Sequence, residues 1–247
     1  MVLAALRIFG AFDLEAGRTL IRRAESLGYE HSPSIIEAGY HVHFAAGDFV
    51  RAERRFRRAL AKEPHNIQVY MGLAQCAFFR GDMSGMVAEA RRGLALEPNH
   101  EILGLMAAIG AVAQQGDLAA LDRLRAIWEQ TQVVDFAAHY SFALLHLGRV
   151  SEIEPVFQWA LKEAARRRIN PLQMARLCSY TGRQQEALIW LERAIRDRST
   201  FLYLMPYARM EGVLDEPSAP AVLAPLPKSW WPNAEKPYWG QPPLTLT

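Results

Sequence analysis

Cysteine is nearly absent. Cys76 and Cys178 are the two in 247 residues. Two isolated cysteines exclude a disulfide framework and a thiolate zinc cluster, and both read as small buried core residues on helices. Charge of one sign is lacking too. Twenty-eight Lys and Arg stand against twenty-six Asp and Glu, for a net charge of +2, too weak a bias to point to nucleic acid. No apolar run reaches the ~20 residues that span a bilayer, so no membrane is expected as a partner. The apolar N-terminus (Val2, Leu3, Leu6, Ile8, Phe9) is interrupted by Arg7 and has no cleavage-type ending. It reads as a helix rather than a secretory signal, and a cytoplasmic protein is expected.

Catalytic patterns are missing as well. The chain has no glycine loop to cradle a phosphate and no nucleophile elbow. Its acids are scattered among basic neighbours, as on solvated helix faces. His41 and His43 are two residues apart, so on a helix they point to different faces. His139 and His146 share a face, but seven residues of helix separate them by roughly 10 Å, too far for one ion. No enzyme activity, cofactor or metal is expected.

What the chain does have is a repeat. Gly47-Asp48-Phe49, Ala52, Phe56, Ala59-Leu60 and Pro64 recur as Gly81-Asp82-Met83, Met86, Ala90, Gly93-Leu94 and Pro98, each 34 residues on. That period identifies stacked helix-turn-helix units. Fainter copies start at Gly116-Asp117, Gly148-Arg149 and Gly182-Arg183, and Asp13-Leu14, Ile21 and Ala24 match the second helix of a first copy. Small residues such as Ala52 and Ala187 let helices approach closely, and large ones such as Phe56 and Leu60 fill the space beside them. Pro64 and Pro98 end the second helices.

The pattern resembles the tetratricopeptide repeat over residues 1–199. The resemblance implies an all-α, right-handed α-solenoid of about six helix pairs. A capping segment (200–224) and a proline- and tryptophan-rich tail (225–247) would follow. The segment from Glu186 to Ala194, with Phe201-Leu202-Tyr203-Leu204, Leu214 and Leu223, also resembles the ending of tetratricopeptide regions in bacterial transcription activators, cyclases and kinases, where the array is a regulatory module. The Ala, Arg and Leu content is compatible with a bacterial source.

Such arrays usually bind rather than catalyse, using the concave face lined by their first helices. The resemblance places Tyr40 or His41 with Phe44, then Met71, Gln75, Phe78 and Phe79, then Phe142 and His146, then Arg176 and Tyr180 toward that face. Some of these must serve packing between helices. Phe78 and Phe79 are adjacent, so one should pack inward and the other face the groove. The Lys and Asn that clamp a peptide's C-terminal carboxylate in chaperone-binding members are absent. The expected partner is therefore a protein or peptide segment held by apolar anchors. A small-molecule sensor and a structural subunit of a larger assembly are the alternatives, and the oligomeric state is not read.

Two further segments matter. Arg51, Arg54, Arg55, Arg57, Arg58 and Lys62 form a basic run on a second helix. It reads as a soluble outer face, with a phosphate-binding surface as the alternative. Phe201 to Met210 reads as a last, capping helix interrupted by Pro206. From Pro217 onward come eight of the fourteen prolines together with Trp230, Trp231, Tyr238 and Trp239. That density of proline favours extended structure, and the aromatics predict that the tail docks on the end of the array.

Overall fold

The computed structural model describes residues 7–8, 11–28, 36, 43–199 and 201–232. All regular structure among them is helical, and the fold class is that of an α-solenoid. The helices are α1 (Leu14–Ser26), α2 (Phe49–Lys62), α3 (Ile67–Phe79), α4 (Met83–Leu96), α5 (Glu101–Gln115), α6 (Leu118–Thr131), α7 (Val134–His146), α8 (Ile153–Arg166), α9 (Pro171–Tyr180), α10 (Gln184–Arg196) and α11 (Ala219–Leu223). They fall into two compact units, 1–107 and 108–247, with the boundary inside α5. The expected first helix, Met1 to Ala11, lies mostly outside the described residues, as do Tyr40, His41, Tyr238 and Trp239.

The repeated Gly-Asp pair has a local cause. Gly81 holds φ at +78°, a left-handed turn that a Cβ would resist, and Gly47, Gly116, Gly148 and Gly182 take the same region. The aspartate that follows caps the next helix. Asp48 Oδ1 accepts from the Arg51 amide at 3.1 Å, Asp82 Oδ1 from Gly85 at 2.8 Å, and Asp117 Oδ1 from Ala120 at 3.0 Å. Each cap satisfies an amide that the first turn leaves without a helical partner. The Gly85 amide is also the main reason that the Asp82 carboxyl sits below the usual carboxylate range. Arg149 and Arg183 replace the aspartate later in the chain, and neither caps its helix.

In the first unit, α3 packs against both α2 and α4. Ala52, Phe56 and Ala59 of α2 and Ala90 of α4 are fully buried. Glu53 pairs with Arg57 at 3.5 Å and Arg80 at 2.5 Å, while the buried Glu89 of α4 reaches Arg57 at 2.6 Å. Glu89 thus ties α4 to α2, and Glu53 ties α2 to the end of α3.

In the second unit, α7 packs on α6, α8 and α9, and α9 on α10. Ala187 is fully buried there, as its repeat position requires. The C-terminal segment departs from expectation. Phe201 to Met210 is not an α-helix; Leu202–Tyr207 forms a 3-10 helix, followed by another at Glu211–Asp215. Proline density does not keep 217–232 wholly extended either. The short α11 forms because Pro220 falls in its first turn, where a missing N–H costs nothing. Trp230 is 1% exposed and meets the Tyr203 ring edge-on at 6.1 Å, so the start of the tail packs on its own chain.

Candidate protein-binding site

On α3, Val69, Leu73, Ala74, Cys76 and Ala77 are buried. Gln68 is exposed, and Met71, Gln75 and Phe79 are partly so. These four follow helical spacing and make an accessible stripe along a largely apolar helix, on which Ile67 and Tyr70 are also partly exposed. Asn66 starts the helix by accepting from the Gln68 amide at 3.1 Å.

The stripe ends in an aromatic cluster. The Phe79 ring stacks on Phe49 at 5.1 Å, meets Phe44 edge-on at 5.7 Å and tilts against Phe78 at 5.3 Å. Phe44 in turn meets Phe49 and Phe56 edge-on at 5.4 and 6.0 Å. Phe44 and Phe78 are buried, whereas Phe79 sits at the margin of the cluster. Phe78 is thus buried, and Phe79 is partly exposed.

The remaining expected positions lie in the second unit, and there they are buried: Phe142, His146, Arg176 and Tyr180. Arg176 Nε donates to Tyr180 Oη at 2.9 Å, and its Nη1 donates to Gln173 Oε1 at 2.8 Å. Gln173 Nε2 donates to Asp135 Oδ1 at 2.9 Å, which links α9 to α7. The segment after α10 packs on these helices. Ser179 Oγ donates to the Arg209 carbonyl at 3.5 Å. Arg209 also lies near enough to His146 to add to the lowering of its pKa, which comes first from burial. Helical spacing within the repeats gives no sign that these four positions are buried.

Cys76 and Cys178 are fully buried, and burial is the main cause that raises both thiols, Cys178 to about 12. The described residues hold no cluster of His, Cys, Asp or Glu that could bind a metal ion. None of the described helices is long and apolar enough to cross a membrane.

The fold is that of a helical-repeat protein. Residues 43–109 match the tetratricopeptide repeat family model. Among solved structures, a thermophilic TPR protein from Thermus thermophilus is similar in fold. It is 18% identical, with a TM-score of 0.54 over 75% of this chain and 100% of that chain. No curated protein matches the chain.

Proposed function

We propose that this protein is an interaction scaffold that docks an apolar segment of a partner protein along α3. The observation that carries the reading is the stripe of Gln68, Met71, Gln75 and Phe79 left accessible on a helix most of whose other residues are buried. Tetratricopeptide repeats generally mediate protein–protein interactions. Met71 offers a flexible, polarizable surface that adapts to a partner, and Phe79 is a rigid aromatic anchor already braced by Phe49. Gln68 and Gln75 flank them with donors and acceptors that set orientation. Phe44 and Phe78 belong to the packing beneath this surface.

The experiment is affinity capture from the native host, followed by reconstitution with the purified partner. Met71→Glu and Gln75→Ala should weaken binding by about 2 kcal/mol together, roughly 30-fold, with an unchanged melting temperature. Binding that is indifferent to both changes would move the contact elsewhere.

A further inference from the structure

The α3 stripe carries the accessible sulfur of the described residues. Met83, Met86, Met106, Met174, Met205 and Met210 are buried, none more than 8% exposed, whereas Met71 is partly exposed. Helical spacing is the cause. Met71 shares the accessible side of α3 with Gln68 and Gln75, while Val69, Leu73 and Cys76 are buried. Cys76 and Cys178 offer no competing sulfur. Both are fully buried, and burial raises both thiols, so little of the reactive thiolate forms.

A thioether reacts differently from a thiol. It needs no deprotonation, so access rather than pH governs its oxidation. The oxidant is a hydroperoxide. The Met71 sulfur lone pair attacks a peroxide oxygen, an S–O bond forms and the O–O bond breaks. With hydrogen peroxide the second oxygen takes up the proton and leaves as water. Sulfur is oxidised by two electrons and the peroxide is reduced by two. The product is a sulfoxide, polar and chiral where the thioether was apolar and flexible, a change that disrupts methionine contacts at interfaces. Gln75 stands one turn beyond Met71 on the same side of α3, so its amide is placed to donate to the sulfoxide oxygen. Oxidation then withdraws an apolar anchor and an orienting amide together.

We infer that Met71 is a reversible oxidation site for hydroperoxides, and that its sulfoxide switches off docking on α3. The switch rests on the proposed function; the oxidation site stands without it. The test treats the native full chain with hydrogen peroxide and reads each methionine by peptide mass spectrometry. Met71 should be oxidised roughly tenfold faster, or more, than the buried Met86, Met174 and Met210, because susceptibility follows exposure, and the rates should converge in denaturant. The two methionine sulfoxide reductases, one for each epimer, should together return Met71 to the thioether. Oxidation of Met71 no faster than of the buried methionines, or a sulfoxide that the reductases leave in place, would overturn the site. The switch is read on the partner purified for the reconstitution. Wild type oxidised at Met71 should bind it roughly tenfold more weakly. Met71→Leu conserves volume and apolarity and forms no sulfoxide, so it should bind alike before and after peroxide. Loss of binding in both proteins, or none in oxidised wild type while Met71→Glu does weaken binding, would overturn the switch and leave the docking reading in place. Binding indifferent to Met71→Glu and Gln75→Ala would remove docking and switch together and leave the oxidation site.

Discussion

A Cβ atom added to Gly72 would stand 2.6 Å from the ring of Phe56. The glycine lies on α3 and the phenylalanine on α2, so this single missing methyl sets how closely the two helices approach. Phe56 is fully buried and touches Phe44 edge-on, so its ring has little room to yield. Gly104, on α5, has no heavy atom within 4 Å of where its Cβ would be.

The two glycines therefore predict opposite outcomes for one substitution. Glycine inside a helix costs roughly 0.5–1 kcal/mol relative to alanine, so Gly104→Ala should stabilise by about that amount. Gly72→Ala collects the same gain, but overpacking a filled core costs about 1–3 kcal/mol, and the net should be a loss. Ala52→Leu, at a fully buried site on α2, should lose stability for the same reason with no gain to offset it. Thermal melts of the three variants decide the point. A stabilised Gly72→Ala would mean that the helices separate easily.

Much of the fold is legible in the sequence because its signals are local. A glycine with positive φ, an aspartate that caps and a proline past the helix end each act within a few residues, so Gly47-Asp48 and Gly81-Asp82 mark their turns directly. The capping role of the aspartates follows from the helix that begins just after them. The candidate site is less legible. Helical spacing places Phe44, Phe78, Phe79 and Phe142 on first helices, but exposure depends on what lies across from them. Phe79 is partly exposed although Phe44, Phe49 and Phe78 pack around it. The groove positions of the second unit are buried with the segment after α10 packed on their helices.

The tail offers a test of that packing. Trp230 is almost fully buried against Tyr203, and burial also raises the Tyr203 hydroxyl above its ordinary pKa. Trp230→Ala should cost about 3–5 kcal/mol, the range for emptying a buried aromatic site. Deleting residues 228–247 should cost at least as much, because it removes the same ring. Hydrogen exchange should locate the loss in α10 and the segment after it. A truncated protein that melts like the full chain would show that the tryptophan contributes little to holding this end together.

The two thiols should be inert in the folded state. Nucleophilic attack needs the thiolate, and burial keeps Cys76 and Cys178 both protonated and out of contact with solvent. Iodoacetamide at pH 8 should label neither residue in native protein, and both in denaturant. Mass spectrometry of the peptides containing each cysteine reads the two separately. Rapid native labelling of Cys178 alone would reveal local opening of α9.

His139 gives the protein an acid-side weakness. Its Nδ1–H donates to the Asp135 carbonyl at 2.6 Å. Burial, with the Arg176 guanidinium as the second cause, lowers its pKa from 6.5 to about 3. The folded imidazole stays neutral where an unfolded one takes up a proton. Between about pH 6.5 and pH 3 the unfolded state therefore binds more protons, and stability falls as pH falls. The slope is at most about 1.4 kcal/mol per pH unit for one group. His146 is shifted in the same direction, first by burial, and adds to the effect. The depressed Asp82 carboxyl adds to the loss only as pH falls toward its ordinary value of 3.8, below the interval between pH 7 and pH 5. Urea denaturation at pH 7 and pH 5 should show wild type losing stability between them. His139→Gln removes one of the titrating groups, and its loss over the same interval should be smaller. Equal losses in the two proteins would show that His139 takes up its proton in the folded state as readily as in the unfolded one.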